Sequence, residues 1–188
     1  MRIVGGQFRG RGLVAPEGQG TRPTSDRARE ALFNVLAHAA WAPDLNGARV
    51  IDLFAGSGAL GFEAISRGAS FCLFVETDDD ARGSIRENAE NLGLFGKTRV
   101  HRRSATDLGV RPGSAGEAFT VAFLDPPYGK GLGEQTLTKL IEGDWLAPEA
   151  VVVFERAVDD LDLQAPGYQL VDERTWGAAR VWFLKRSA

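Results

Sequence analysis

The sequence predicts an α/β domain built on a mostly parallel, doubly wound sheet. Three observations predict it. Residues 50–54, Val-Ile-Asp-Leu-Phe, form an apolar run that passes through Gly56-Ser57-Gly58 into a helical pattern over residues 59–67. Further apolar runs of strand length, at 71–75, 119–124 and 151–154, alternate with stretches of helical periodicity. A chain of 188 residues with 44% hydrophobic content is enough for one domain with a substantial core.

The run at 50–54 suits a strand buried on both faces of a parallel sheet. Leu60, Ala64 and Ile65 share one face of the helix that follows, and Gly68 stands where a left-handed C-cap belongs. Strand, glycine turn and helix together form the opening unit of a nucleotide-binding sheet: glycines let a ligand approach the backbone, and the helix N-terminus offers unpaired N–H groups. Gly56, Gly58 and Gly61 satisfy the dinucleotide fingerprint GxGxxG, which brings an NAD-binding protein into consideration. Asp52 argues against it, because it places a carboxylate close to where a pyrophosphate would lie. A cationic ligand suits that place better, and S-adenosylmethionine carries a sulfonium and an α-amino group with no phosphate. The stretch DLFAGSGALGFEA resembles the first motif of Rossmann-like S-adenosylmethionine methyltransferases. That resemblance implies cofactor contacts from Asp52, Phe54, Gly56, Ser57 and Gly58.

Composition narrows the classes further. No apolar run approaches the roughly 18 residues of a membrane span, and the first residues lack the apolar segment of a secretory signal, so the cytoplasm is the expected compartment. A lone Cys72 inside an apolar run reads as a core residue. Two histidines, His38 and His101, and one cysteine exclude the usual zinc clusters and weigh against a Ser-His-Asp triad; no metal is expected. The net charge of −3 conceals a polarity. Residues 1–34 carry six arginines against Glu17, Asp26 and Glu30, a net +3, whereas the remainder has 16 basic and 22 acidic residues, a net −6. A basic arm on an acidic body suits a polyanionic partner.

In chain order, Ile3-Val4 and Leu13-Val14 are expected to pair across a glycine-rich turn as a small hairpin from which Arg2, Arg9 and Arg11 project. Arg22 follows in a flexible connection. These four arginines are the candidates to hold RNA, by bidentate pairing with phosphate or by stacking on a base, and the intervening glycines would let the backbone follow it closely. Ser25 or Thr24 caps a helix whose face is Ala28, Ala31, Leu32, Val35, Leu36 and Ala39. After the central motif, the strand at 71–75 ends at Glu76. A helix over 78–92 turns Ala81, Ile85, Ala89 and Leu92 inward, and a weaker strand spans 97–102. The strand at 119–124 ends at Asp125, a helix covers 133–142, and the strand at 151–154 ends at Glu155. Residues 168–171 and 180–184 flank Thr175-Trp176-Gly177 as an antiparallel hairpin closing one edge. Five alternating strand–helix units and this hairpin make up the expected domain.

The chemistry is expected where the strands end. Glu76, 20 positions after Gly56, can accept hydrogen bonds from both ribose hydroxyls of an adenosine. Because NAD enzymes use the same device, Glu76 identifies a ribose and no more. In the methyltransferases an acidic side chain often follows the third strand and meets the adenine amino group. Here that place reads Ser104-Ala105, so adenine contact falls to the Ala105 backbone or the Ser104 hydroxyl. Asp125-Pro126-Pro127-Tyr128, directly after the fourth run, resembles the signature of methyltransferases acting on exocyclic or amide nitrogens. An exocyclic amino group is a poor nucleophile because its lone pair is delocalised into the ring. The Asp125 carboxylate and the Pro126 carbonyl can take its N–H hydrogens, the prolines have no N–H to compete, and Tyr128 can stack on the base. A base inside a helix cannot enter such a pocket, so it must be unpaired or flipped.

DPPY is shared by adenine, cytosine, guanine and glutamine modifiers. MRIVGGQFRGRGL, RPTSDRAREALFN, DLFAGSGALG and DPPY, in this order and spacing and with TWGAARVWF at the end, resemble the RsmD family over nearly the whole chain. The N-terminal blocks are the specific part. The resemblance implies a monomeric enzyme that transfers a methyl group from S-adenosylmethionine to the N2 amino group of a guanine in 16S ribosomal RNA, free or within the small subunit, and releases S-adenosylhomocysteine. The chain is expected to divide into a basic arm, 1–23, and a methyltransferase domain, 24–188. An adenine-N6 or cytosine-N4 nucleic-acid methyltransferase is the alternative; one specific for DNA would normally need a target-recognition region, for which this chain has little room.

Overall fold

Side-chain alternation along the strands decides the layering. The computed structural model describes residues 1–17, 25–127, 129–158 and 164–187. Its strands are β1 (Arg49–Leu53), β2 (Phe71–Val75), β3 (Thr98–His101), β4 (Phe119–Leu124), β5 (Leu146–Ala157), β6 (Tyr168–Trp176) and β7 (Ala179–Arg186). Its helices are α1 (Asp26–His38), α2 (Ala59–Ser66), α3 (Asp79–Leu92) and α4 (Leu132–Glu142). Val50, Phe74, Phe123 and Val153 point to one face and pack with Phe33 of α1, Phe62 of α2 and Ile85 of α3. Leu53, Val75, Leu124 and Val152 point to the other face and meet Leu137 and Leu140 of α4 and Trp145.

The strands form one sheet in the order β3-β2-β1-β4-β5-β7-β6. The first five pair in parallel, and the C-terminal hairpin adds antiparallel strands at the edge. The chain order reverses between β1 and β4, the switch point at which such sheets open a crevice. Within the hairpin β7 lies inside, because Val181, Trp182, Phe183 and Leu184 are all buried, while β6 exposes Gln169, Glu173, Arg174 and Thr175 at the edge. The turn falls at Gly177-Ala178, so Thr175 and Trp176 belong to the strand.

Local signals set the helix ends as expected. The Ser25 hydroxyl accepts from the Ala28 N–H at 3.1 Å, and the Asp78 carboxylate accepts from the Ala81 N–H at 2.9 Å. Gly93 closes α3 with a positive φ of 69°. Two expectations are corrected. Residues 102–118, between β3 and β4, hold only a 3-10 turn at Gly113–Ala115, because Gly109, Pro112, Gly113 and Gly116 interrupt any helix there. The connection is instead fastened by the Trp145 indole N–H, which donates to the Gly109 carbonyl at 2.9 Å. Also, β5 starts five residues before the expected strand, with Glu149 at φ 63° and a register shift against β4 absorbing Pro148.

The arm forms the expected hairpin in reduced form. Arg2 and Gly12 make one antiparallel bridge, and Ile3 and Leu13 enter the same core as α1 and α2. A buried carboxylate fastens it. Glu63 of α2 accepts the Val4 and Gly5 N–H groups, each at 3.0 Å. It also accepts Nε of Arg29 at 3.3 Å and Nε of Arg67 at 2.9 Å, and the Glu63 and Arg29 side chains are fully buried. The Arg29 guanidinium continues to the Arg2 carbonyl and to Asp26, and that of Arg67 stacks 5.1 Å from the Phe33 ring. At Gly6, whose φ is 77°, an added Cβ would collide with the Ser66 carbonyl. Gly5 and Gly6 therefore lay the arm on α2, a different use from the one expected of them.

Removing one partner of such a network strands the opposite charge without water. Glu63→Ala is expected to lower stability by about 3–5 kcal/mol and, by releasing the arm from α2, to speed trypsin cleavage after the already exposed Arg9 and Arg11. Urea unfolding with a loss below about 1 kcal/mol would show that the network carries no such weight.

Candidate active site

Strand register builds the rim of the site. Leu53, Val75, His101, Leu124 and Phe154 stand in one row across five strands. The next residues, Phe54, Glu76, Arg102 and Asp125, form the carboxyl edge, whereas β5 runs on to Ala157 in its pairing with β7, so Glu155, expected at a strand end, lies within the strand. Phe54 and Asp125 are neighbours across the switch point.

The turn after β1 is held by acids and amides. Phe54 takes a positive φ of 56°, a costly conformation for a bulky side chain, at the start of the turn. Gly56 has φ 59°, and an added Cβ there would meet nothing within 4 Å, so the backbone at this point faces open space. Its N–H donates to Glu76 Oε1 at 2.8 Å, while Glu76 Oε2 accepts the Thr77 and Asp78 N–H groups at 2.9 and 3.0 Å. Glu76 thus clamps the end of β2 to the turn after β1. Below it Asp52, buried, accepts the Gly61 N–H at 3.0 Å and fixes the first turn of α2. Burial pushes the Asp52 carboxyl well above the usual range; the Gly61 hydrogen bond opposes this and the charge on Glu76 adds to it.

The remaining expected residues fall as follows. The Ser104 hydroxyl is engaged locally, 2.8 Å from the Thr106 hydroxyl and accepting the Thr106 N–H at 3.3 Å, and the Ala105 methyl is buried. Asp125 is half-buried, Pro126 buried and Pro127 exposed. Tyr128, Arg22 and Thr24 lie outside the described residues. Beyond the Asp125 loop, Gly133 of α4 sits against the Phe154 ring, and Glu134 pairs with Arg156 of β5. The helix that follows the loop is thereby fixed to the sheet.

Comparison with known proteins decides the family. The family model described as Conserved hypothetical protein 95 matches residues 1–185. Ribosomal RNA small subunit methyltransferase D of Escherichia coli is 40% identical over 189 residues, covering 100% of this chain and 91% of that protein. The protein of the same name from Haemophilus influenzae is 36% identical over 178 residues, covering 94% and 89%. The solved structure of the Escherichia coli yhhF protein superposes with a TM-score of 0.84 at 37% identity, covering 100% and 98%. The chain belongs to the RsmD family. Its fold is the Rossmann-like methyltransferase fold, with an antiparallel C-terminal hairpin.

In this RsmD-family chain the arm spans the length of α2. Gly47 N–H donates to the Gly68 carbonyl at 2.8 Å, so the carboxyl end of α2 lies beside the start of β1. The arm's tip sits there: the Gln7 N–H donates to the Ser66 carbonyl at 2.7 Å and the Phe8 N–H to the Ser66 hydroxyl at 2.9 Å. Arg9 is exposed at this tip, and Arg11 donates to the Asn91 carbonyl at 2.7 Å near the end of α3. The carboxyl end of α2, where the tip sits, is about 12 Å from the glycine turn, the length of an eight-residue helix. Arg2 is exposed and stands 3.8 Å from Asp26 at the start of α1.

Two buried side chains that brace the arm against the rest of the site are not singled out by the sequence pattern. Glu63 is one, and Asn88 is the other. Buried on α3, Asn88 donates to the Val14 carbonyl at 2.9 Å and the Ser57 carbonyl at 3.1 Å, and accepts the Val14 N–H at 2.7 Å. It joins the arm directly to the glycine turn. Spacing held the signal: Asn88 is three residues after Ile85 and four before Leu92, on the inward face.

The buried Asp52 gives a pH test. Its folded pKa is raised, so the folded state holds the proton more tightly than the unfolded state, and stability falls as pH rises above about 4. Asp52→Asn, which keeps an acceptor for the Gly61 N–H, is expected to raise Tm at pH 7. The gain should shrink toward zero as pH approaches 4. Thermal unfolding with no gain at pH 7, or an equal gain at pH 4, would contradict this.

Proposed function

We propose that this chain methylates small-subunit ribosomal RNA, with S-adenosylmethionine as donor and the N2 amino group of a guanine in 16S rRNA as acceptor. The observation that carries the reading is the place of Asp125-Pro126 at the end of β4, next to Phe54 and the glycine turn at the switch point. The names of the Escherichia coli and Haemophilus influenzae relatives support the RNA substrate.

The residues present fit the cofactor. The turn is flanked by the Asp52 and Glu76 carboxylates, and its backbone is open at Gly56. A cationic adenosine derivative suits that donor set, and a pyrophosphate would face carboxylates. Asp52, Phe54, Gly56, Ser57 and Gly58 would hold its amino-acid end, Glu76 the ribose, Ser104 and Ala105 the adenine, with Asp125 alongside. When bound, S-adenosylmethionine supplies an electrophilic methyl group.

The chain's own residues prepare the acceptor. The Asp125 carboxylate and the Pro126 carbonyl would accept hydrogen bonds from the two N–H groups of the amino group and so oppose delocalisation of its lone pair into the ring. Tyr128 supports the base by stacking, and the rigid proline turn supplies positioning, which is the main catalytic effect. Arg2, Arg9, Arg11 and Arg22 would hold RNA away from the target base.

Asp125→Ala is expected to lower kcat strongly, and Asp125→Asn to retain more activity because its amide oxygen still accepts a hydrogen bond. Equal single-turnover methylation of rRNA by wild type and Asp125→Ala would sink the assignment. S-adenosylhomocysteine should raise Tm and NADH should leave it unchanged; the reverse would return the chain to the dinucleotide binders.

A further inference from the structure

We propose that Arg102 and Arg103 form a contact for RNA backbone phosphates at the carboxyl rim of β3, holding the strand that flanks the target base. The inference rests on the rRNA reading above and deepens it.

Place is the first support. Val75 of β2 pairs with His101, and the Glu76 N–H donates to the His101 carbonyl at 3.1 Å, so Arg102 stands beside Glu76 on the rim. From β3 to β4 the sheet takes three strand spacings, about 14 Å, which separates Arg102 from Asp125 on one edge of one rigid sheet. A base held at Asp125 therefore brings its neighbouring phosphates within reach of long guanidinium side chains. The arm tip, by contrast, lies at the carboxyl ends of α2 and α3, away from this rim.

Availability is the second support. Many arginines of the body are committed: Arg29 and Arg67 to Glu63, Arg82 to Asp79, Arg156 to Glu134, Arg180 to Glu173. Arg102 and Arg103 are exposed, and among the described residues neither forms an ion pair. Residues 99–103 read Arg-Val-His-Arg-Arg, with no acid among them. His101, beside them, titrates below its ordinary value, first through burial and then through the charges of Arg99 and Arg103. Bidentate guanidinium pairs suit phosphate, and the partner chemistry is that of a polyphosphate backbone.

The test uses the full chain, a transcript of the small-subunit rRNA, and S-adenosylhomocysteine. The double variant R102A/R103A should bind the transcript more weakly, with a log–log salt slope shallower by roughly 1.4 to 1.8. Wild type would then lose about 7- to 12-fold more affinity than the variant between 50 and 200 mM salt. Affinity for S-adenosylhomocysteine should be unchanged, and R102K/R103K should keep the wild-type slope. A wild-type slope in R102A/R103A overturns the inference. So does a loss of S-adenosylhomocysteine affinity with the slope intact, which would give the pair to the cofactor. If wild type itself binds the transcript without salt dependence, the rRNA reading fails together with the inference, and that failure is visible before any variant is made.

Discussion

Glu63 has been taken out of water, and two arginines from different segments together with two backbone amides of the arm make its burial tolerable. Desolvating a carboxylate and a guanidinium costs several kcal/mol each unless the remaining hydrogen bonds are satisfied. Here they are satisfied by pieces that are far apart in sequence. The arm is fixed at residues 4–5, α1 through Arg29, and the end of α2 through Arg67, whose guanidinium also covers Phe33. Because α2 begins at the glycine turn, its clamped flank leaves that turn little freedom. The arm's returning strand completes the connection, since Val14 meets Asn88 and Asn88 meets Ser57. The arm is therefore part of the support of the glycine turn as well as a carrier of positive charge.

The turn itself is built against its own stability. Asp52 is buried where ionisation is unfavourable, and Phe54 holds a left-handed conformation without being glycine. Such features persist where the surroundings over-determine them, and they concentrate at functional sites. Glu76 supplies part of that over-determination by gathering three backbone N–H groups from two chain segments. A cationic ligand would relieve the charge that the fold concentrates there.

Much of this was legible in the sequence, for reasons that are local. Strand, glycine turn and helix at β1–α2 follow from periodicity and turn chemistry, and Asp78 and Gly93 mark α3 by their capping types. The rim acids Glu76 and Asp125 follow once each apolar run is taken as a strand that ends at its first charged residue. What stayed hidden depends on tertiary partners. Glu63 reads as the polar side of a short helix until Arg29 and two arm amides are brought to it. Asn88 reads as an ordinary helix residue until Val14 and Ser57 flank it. The connection between β3 and β4 reads as room for a helix, yet its glycines and proline leave only one 3-10 turn. The hairpin's inner strand is chosen by burial of residues 181–184, which pattern alone does not assign to a neighbour.

Nucleoside analysis tests the central claim most directly. The purified chain is incubated with isotopically labelled S-adenosylmethionine and small-subunit rRNA, both as free RNA and within subunits lacking the modification, and the RNA is digested to nucleosides for mass spectrometry. The account predicts the label in N2-methylguanosine. Label in N6-methyladenosine or N4-methylcytidine, or none in either form of the RNA, would contradict it.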